Sequence, residues 1–366
     1  MLEEPFAERC QKAARVIADL NATHLIASDP STVRWLSGRS QEIEFGPQYP
    51  FSAGTLVCLD QNGSGSIICA EDDALMGPQI RGLEVRPYKG YSIEPLRPYE
   101  NAARLLKTRG TIGIEAHACS AMFVNHHRWI DASQALRALR VVKDAAELRL
   151  LRNAASVISA GQSAFRKTVK SGLTEIDVFS QVHAAMEQAA GQRVPVLVDL
   201  LSGERLIEVS GPPTDRLIKS GEMVLCDLAA RVNGYWADSC TTISVGQVDE
   251  PSRRLHRACR QALEVGIKAA RPGLSAGKLD QIIRNKMTEA GYAYPHHSGH
   301  GLGVSFHEEP RIVPSADMIL KPGMVIALEP AGFLDHIGAR VEHMLEITET
   351  GASVLTDFDL SLDEEN

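Results

Sequence analysis

The sequence predicts two domains, an α/β domain over residues 1–139 and a larger α+β domain over residues 140–366. A length of 366 residues exceeds what one ordinary hydrophobic core supports, which favours two domains. Up to residue 139, short strand patterns alternate with helical patterns, as they do in α/β folds. From residue 140 onward, two helical patterns precede a pair of strand patterns, and this order occurs twice. We therefore expect a structural pseudo-repeat in the second domain.

The composition is that of a soluble globular protein, with 44% apolar and 23% charged residues. A net charge of −8 argues against nucleic acid or an anionic membrane surface as a partner. The first residues are acidic and lack the apolar core of a signal peptide, and no run approaches 18 apolar residues, so we expect no membrane span. Seven cysteines without a CxxC pair indicate free thiols in a reducing cytoplasm.

Short local patterns predict the elements of the first domain. Apolar residues at helical spacing cover residues 4–20, and the DPSTVRWLSG segment has an Asp that begins a helix and a Gly that ends one. Strand patterns occur at residues 24–28, 54–60, 65–71 and 111–116. The QNGSG segment predicts a hairpin, and a helical pattern follows the last strand as far as Trp129. This domain carries no cluster of catalytic residue types.

Stronger signals mark the second domain. Asp144 and Glu147 have the spacing of a capping box at the start of a helix. The Asn233-Gly234 pair is the strongest short hairpin signal in the chain. Further helices are predicted over residues 174–190, 252–270 and 275–290, strands over 323–330 and 338–348, and irregular structure over 192–222.

One stretch, PHHSGHGLGVSFHEEP at residues 295–310, is a poor candidate for a core segment. It contains four histidines, two carboxylates and three glycines in sixteen residues. Imidazoles and carboxylates are costly to bury unless another group pairs with them. A metal ion is the simplest partner that would use several of them at once, so this stretch predicts part of a metal site.

The predicted hairpin brings two aspartates together. If Asn233-Gly234 closes a two-residue loop, Asp238 faces Ala229 across the hairpin. Asp227 lies two residues from Ala229 on the same side of its strand, so the aspartates are diagonal neighbours with Cβ atoms roughly 6–8 Å apart. Two carboxylates at that separation can both reach a pair of ions about 3.5–4 Å apart.

Two surface aspartates on a solvated hairpin are the alternative interpretation. The strand over residues 223–229 is otherwise apolar, however, and a buried carboxylate without a partner is costly. Glu329 and Glu342 interrupt apolar strands in the same way. Four such carboxylates together with the Gly-flanked His300 predict a site for Mn²⁺, Co²⁺, Fe²⁺ or Zn²⁺.

These residues resemble a known family, the prolidase, aminopeptidase P, methionine aminopeptidase and creatinase group, which has the pita-bread fold. The similar strings are DLAARVNGYWAD (227–238), GHGLGVSFHEEP (299–310), LEP (328–330) and ARVE (339–342). RVVKDAAELRLLRNA, from residue 140, is similar to the segment that opens the catalytic domain in prolidases and creatinase. The resemblance implies an α+β pita-bread catalytic domain over 140–366, preceded by a creatinase-like N-terminal α/β domain over 1–139.

The resemblance also implies a site with two divalent metal ions. The implied ligands are Asp227, Asp238, His300, Glu329 and Glu342. Asp238 and Glu342 would bridge the ions, and Glu329 would accept a proton from a water that lies between them. Mn²⁺ is the expected ion, with Co²⁺, Zn²⁺ and Fe²⁺ as alternatives.

Other implied residues surround that site. His307 would contact the substrate amide and the tetrahedral intermediate, and His296 would lie near the substrate. Arg340 is similar to an arginine close to the metal ligands and would bind the substrate together with Ser210. His297 and His343 have no assignable family role and are interpreted as structural.

The chain departs from the family at two places near the site. Ser210, in VSGPPTDR, stands where peptidase members usually have a substrate-binding histidine, and a hydroxyl cannot act as an imidazolium. Cys240 and Thr241 replace a threonine and an arginine of the DxTRT string.

These features predict a metal-dependent hydrolase of a C–N bond. An Xaa-Pro dipeptidase or aminopeptidase that acts on short peptides is the leading expectation. An amidase of a small non-peptide nitrogen compound, as in creatinase, is the alternative enzyme, and a non-catalytic peptide-binding module is a third reading. A homodimer is implied by the resemblance, because prolidase-like members commonly pair.

Overall fold

The computed structural model describes residues 4–40, 53–75, 77–89, 97–125 and 127–363. The chain divides into two compact units, Met1–Arg140 and Val141–Asn366. All seven cysteines are free thiols, as the sequence predicts. Across the described ranges, every helix is too short or too polar to cross a lipid bilayer.

The first unit is built on a six-stranded sheet with helices. Its helices are α1 (Phe6–Asp19), α2 (Pro30–Ser37), α3 (Pro98–Leu105) and α4 (Ser133–Ala138). Its strands are β1 (His24–Ala27), β2 (Leu56–Asp60), β3 (Gly65–Ala70), β4 (Leu83–Tyr88), β5 (Thr111–Ile114) and β6 (Arg128–Asp131). The strand order is β4-β3-β2-β1-β5-β6, in which β2 and β3 form the predicted hairpin.

Local signals predicted α2 well and failed beyond β5. Asp29 begins α2 by accepting hydrogen bonds from the backbone N–H groups of Ser31 and Thr32, and Gly38 ends it in the left-handed conformation. The helical pattern predicted as far as Trp129 is wrong, because the described part of that stretch, which excludes residue 126, contains a short 3₁₀ turn and then β6. β6 pairs in parallel with β5, a non-local contact that overrides a local helical pattern.

The second unit contains two pairs of helices and several antiparallel sheets. Its helices are α5 (Ala145–Thr168), α6 (Glu175–Ala190), α7 (Glu250–Ala269) and α8 (Ala276–Glu289). Its strands are β7 (Val196–Ser202), β8 (Glu222–Val232), β9 (Tyr235–Val245), β10 (Gly299–Gly301), β11 (Glu308–Ile312), β12 (Val325–Leu328), β13 (Ala331–Leu334), β14 (Ile337–Arg340), β15 (His343–Ile347) and β16 (Ala352–Val354). The sheets have the orders β7-β8-β9, β11-β10-β12-β15-β16 and β13-β14.

Each helix pair precedes its strands, so the predicted order of elements occurs twice. The capping box of Asp144 and Glu147 begins α5, and both of its hydrogen bonds are present. α5 packs on β8 and β9 through a stripe of fully buried residues that includes Leu151 and Ile158. α7 and α8 form a second core with β12, which contributes Leu328.

Two segments of this unit differ from the prediction. Residues 192–222 were predicted to be irregular, but they contain β7, which is held by antiparallel pairing with β8. The strand predicted over residues 338–348 is two strands, β14 and β15, which belong to different sheets. The chain leaves one sheet and joins the other at Val341 and Glu342, and the second of these is a candidate metal ligand.

Candidate metal centre

The β8–β9 hairpin has the predicted register. Asn233 and Gly234 both have positive φ, 52° and 82°, as a two-residue type I′ turn requires. Ala229 pairs with Asp238 and Asp227 pairs with Cys240, so the two aspartates share one face of the hairpin. A local turn signal therefore fixed the relative position of two candidate ligands.

Three candidate ligands come together beside this hairpin. One ligand atom from each of Asp238, His300 and Glu342 lies within 4.8 Å of the other two, and all three residues are buried. His300 Nε2 is 3.4 Å from Asp238 Oδ2. His300 Nδ1 donates a hydrogen bond to the Gly301 carbonyl at 2.9 Å, which leaves Nε2 as the candidate ligand atom. The Gly301 carbonyl thus orients the imidazole of His300 toward the carboxylates.

Glu342 reaches the hairpin because the chain between β14 and β15 crosses β9. The Glu342 backbone N–H donates to the Cys240 carbonyl at 2.8 Å. The Thr242 hydroxyl donates to the Arg340 carbonyl at 2.9 Å and accepts from the Arg340 N–H at 3.1 Å. These bonds hold Arg340 and Glu342 against the strand that carries Asp238. The break between β14 and β15 therefore places Glu342 beside Asp238.

Glu329 follows β12 and lies among three histidines. Its Oε1 is 2.8 Å from His297 Nε2 and 3.7 Å from His300 Nε2, and its Oε2 is 3.9 Å from His296 Nδ1. Arg311 Nη2 donates to His297 Nδ1 at 3.0 Å, so His297 links Arg311 to Glu329. The sequence analysis interpreted His297 as structural and did not predict its contact with Glu329. Because His297 is adjacent to His296, which was predicted to lie near the substrate, a place in the site could have been inferred.

The remaining predicted residues lie around this cluster. The half-exposed His307 ring is 4.0 Å from the His300 ring, and His297, His300 and His307 also bring ligand atoms within 4.8 Å of one another. His343 Nδ1 lies 2.8 Å from the Thr356 hydroxyl, which agrees with a structural interpretation.

Arg340 connects Asp227 with a residue that the sequence analysis did not select. Its Nη2 is 2.6 Å from Asp227 Oδ2 and 3.3 Å from Asp199 Oδ2. Ser210 is exposed, and its hydroxyl donates to Asp199 Oδ1 at 3.0 Å. Ser210 therefore contacts the site through Asp199. The sequence did not predict a role for Asp199, because this residue lies on β7, in a segment predicted to be irregular.

The buried carboxylates of the site repel one another, and the Arg340 guanidinium only partly offsets this repulsion. Burial raises the pKa of Glu342 well above its ordinary value, and the nearby Asp238 and Asp227 raise it further. Burial also raises the pKa of Asp227, which the Arg340 guanidinium opposes. Burial would raise the pKa of Glu329 too, but its hydrogen bond with His297 and the nearby positive charges lower it to about 2.

The residues present fit a divalent metal ion. Asp238 Oδ1 and Glu342 Oε1 are buried side-chain oxygens with no hydrogen-bond partner in the described part of the chain. Buried oxygens in a folded protein normally have such a partner. Carboxylate oxygens with one imidazole match the ligand preference of Mn²⁺, Fe²⁺, Co²⁺ and Zn²⁺. A cation here would bind the free oxygens and offset the repulsion between carboxylates.

Comparison with known proteins agrees with this arrangement. The model of metallopeptidase family M24 matches residues 149–349, more than half of the chain. The chain belongs to metallopeptidase family M24. It is therefore a metal-dependent peptide hydrolase, and a divalent metal ion is its cofactor. The amidase alternative is not favoured.

Relatives of this M24 protein include named Xaa-Pro dipeptidases. It is 29% identical to the Xaa-Pro dipeptidase of Pyrococcus furiosus over 82% of this chain and 89% of that protein. It is 31% identical to YkvY of Bacillus subtilis over 63% of this chain and 64% of that protein, which is less than two thirds of that relative's length. The solved prolidase structure from Pyrococcus furiosus superimposes with a TM-score of 0.83 at 26% identity, over 94% of this chain and 99% of that one. The fold is the predicted pita-bread fold.

Proposed function

We propose that this M24 protein is an Xaa-Pro peptidase, a dipeptidase or an aminopeptidase, that uses two divalent metal ions, with Mn²⁺ preferred. The proposed ligands are Asp227, Asp238, His300, Glu329 and Glu342. The observation that carries the metal site is the buried cluster of Asp238, His300 and Glu342, with its unpartnered oxygens. Similarity to Xaa-Pro dipeptidases supports the proposal that the bond cleaved is an Xaa-Pro peptide bond. Residues 140–366 are the proposed catalytic domain and residues 1–139 a creatinase-like N-terminal domain.

The proposed roles follow from charge and position. Divalent ions bound here would lower the pKa of a bound water and polarise the scissile carbonyl. Glu329, which is ionised near pH 7, would accept a proton from the attacking water. Burial and the neighbouring histidines lower the pKa of His307 to about 4, so its imidazole is neutral and can donate a hydrogen bond to the oxyanion. His296, beside Glu329, would contact the substrate.

Arg340 and Ser210 are the proposed substrate-binding residues. Arg340 would hold Asp227 in place through the contact between their side chains. Ser210 would contact the substrate in place of the histidine that many peptidase members have.

The proposed partner is a second copy of the chain, and the proposed location is the cytoplasm. The resemblance to prolidases supports a homodimer, and the seven free thiols suit a reducing compartment. Light scattering during size-exclusion chromatography tests the dimer: the expected mass is twice that of the chain, and a mass of one chain would contradict it.

Proline release from Xaa-Pro peptides tests the proposed activity. Mn²⁺-reconstituted protein is incubated with Xaa-Pro dipeptides and with longer peptides that begin Xaa-Pro, and a chelator-treated sample is the control. We expect release that the chelator abolishes and that added Mn²⁺ restores, because the ions supply several kcal/mol of transition-state stabilisation. A preference for dipeptides would identify a dipeptidase. Absence of release by protein shown to contain metal would contradict the proposal.

Ser210→His is expected to raise kcat/KM for Xaa-Pro dipeptides by about tenfold, a typical gain for one charge-assisted hydrogen bond. An imidazole at this position would have the Asp199 carboxylate as its partner and would then donate to the substrate. Ser315→His, at an exposed serine elsewhere in the same unit, is the matched control. Equal kcat/KM for the wild type and Ser210→His would speak against a substrate-facing role for this position.

A further inference from the structure

Asp199 adds a carboxylate to the wall of the proposed active site. β7 and β8 are antiparallel, and Asp199 pairs directly with Asp227. Directly paired residues have side chains on the same face, with Cβ atoms about 4.5–5.5 Å apart. Asp199 therefore lies beside a proposed metal ligand, although it belongs to a strand that carries none of the family's motifs.

Hydrogen bonds fix the orientation of this carboxylate. Its Oδ1 accepts from the Ser210 hydroxyl at 3.0 Å and from the Gly211 backbone N–H at 2.9 Å. Its Oδ2 accepts from Arg340 Nη2 at 3.3 Å. The Asp199 side chain is nevertheless 26% exposed, whereas that of Arg340 is 6% exposed. A carboxylate has about four acceptor sites, so Oδ2 keeps capacity for a further donor.

The same hydrogen bonds determine which donor and acceptor groups remain available to a substrate. Ser210 is an exposed residue whose single O–H donates to Asp199, so its hydroxyl can offer only lone pairs to another group. Arg340 Nη1 and Nη2 are directed at the Val209 carbonyl, Asp227 and Asp199, and the Arg340 Nε is buried. The exposed atoms of Ser210 and Asp199 are thus hydrogen-bond acceptors, and one of them carries a negative charge.

We propose that Asp199 and Ser210 form a substrate subsite that binds a nitrogen donor, namely an ammonium, guanidinium or amide N–H group, and disfavours a carboxylate. The inference rests on the proposed peptidase function and adds the chemical class of its substrate. A donor facing a fixed carboxylate gains a charge-assisted hydrogen bond, whereas a substrate carboxylate is repelled by it. Replacing the histidine by Ser210 therefore changes the type of contact, because the Ser210 oxygen accepts a hydrogen bond from the substrate whereas an imidazolium would donate one.

Two peptide pairs test the subsite. Lys-Pro and Met-Pro differ in an ammonium at the end of a long side chain, and Ala-Pro amide and Ala-Pro differ in an amide against a carboxylate. The protein is the metal-loaded wild type, Asp199→Asn, and the control Asp317→Asn, which makes the same change at an exposed carboxylate. kcat/KM is measured for each peptide, and bound metal is measured for each protein.

The wild type and Asp317→Asn are expected to favour the donor-bearing peptide of at least one pair by about tenfold, the effect of one well-placed hydrogen bond. In Asp199→Asn the ratio is expected to fall to about twofold or less, since the charge is lost while the shape is kept. An unchanged ratio in Asp199→Asn, or a wild type without a preference in either pair, would overturn the proposal. Loss of bound metal in Asp199→Asn with equal loss of activity on both peptides would also overturn it, because Asp199 would then act through Arg340 on Asp227.

A failure of the proposed function is distinguishable from a failure of the subsite. If metal-loaded wild type hydrolyses none of the four peptides, their dissociation constants are measured by calorimetry on the same proteins. Tighter binding of the donor-bearing peptides that disappears in Asp199→Asn supports the subsite without peptidase activity. Equal binding within each pair, or no binding, would overturn it.

Discussion

Asp238→Ala is expected to abolish metal binding at one or both ion positions and to lower kcat/KM by at least about 10³-fold, the effect of losing several kcal/mol of transition-state stabilisation. Asp238 is 3% exposed and lies with His300 and Glu342 at the centre of the cluster. Its Oδ1 has no hydrogen-bond partner within the described ranges, so a metal ion is the partner that the arrangement fits. Alanine at this position would remove a proposed bridging ligand.

The stability of the metal-free protein separates this effect from unfolding. Asp238 is one of the groups that raise the pKa of Glu342, so its removal relieves repulsion between buried carboxylates. The substitution also removes the contact with His300 Nε2, which opposes that gain, so the Tm of metal-free Asp238→Ala should lie close to that of the metal-free wild type. Added Mn²⁺ should raise the Tm of the wild type, by an amount that corresponds to about 2.7 kcal/mol at 100 times Kd, and should raise that of the variant much less.

Elemental analysis, thermal unfolding with and without Mn²⁺, and peptide hydrolysis check this prediction. Asp317→Ala, at an exposed carboxylate in the same unit, is the matched control and should behave as the wild type in all three measurements. Full metal occupancy together with full activity in Asp238→Ala would refute the assignment of Asp238 as a ligand.

The sequence predicted best where a local interaction determines the structure. The Asn233-Gly234 turn sets the register of β8 and β9, and with it the shared face of Asp227 and Asp238. The capping box at Asp144 likewise depends on residues within three positions of each other. Such features need no knowledge of the tertiary structure, because the interacting groups are neighbours in the chain.

Where the sequence failed, a distant contact determines the structure. β7 exists because it pairs with β8, and Asp199 could not be related to the site before that pairing was known. His297 contacts Glu329 across more than thirty residues of chain, so its place in the site depends on the packing of β10 against β12. The break before Glu342 depends on a hydrogen bond to Cys240, about a hundred residues away.

These failures concern the residues around the proposed metal ligands more than the ligands themselves. The proposed metal ligands stand in short motifs, whereas His297 contacts the proposed ligand Glu329, and Asp199 contacts Arg340, from outside the motifs. Motifs can therefore indicate the reaction class of this chain, while residues that surround the motif residues become visible only in the fold.

His307→Gln is expected to lower kcat by about 10²–10³-fold, a typical cost of removing one donor to a developing oxyanion. The His307 ring lies 4.0 Å from that of His300, yet the residue itself is partly exposed, so it can face a substrate above the proposed metal ligands. Its pKa is lowered to about 4, by burial first and then by the neighbouring histidines. A bound divalent cation acts in the same direction, so the ring is a neutral hydrogen-bond donor between pH 6 and 8.

The loss should fall on kcat, with little change in KM and none in metal content, because His307 acts on the transition state and is not a proposed ligand. His336→Gln, at an exposed histidine in the turn between β13 and β14, is the control and should retain wild-type kcat. If His307→Gln loses bound metal as well, the imidazole is a ligand, as its closeness to His297 and His300 would permit. If its kcat falls less than about threefold, stabilisation of the oxyanion must come from other groups in the site.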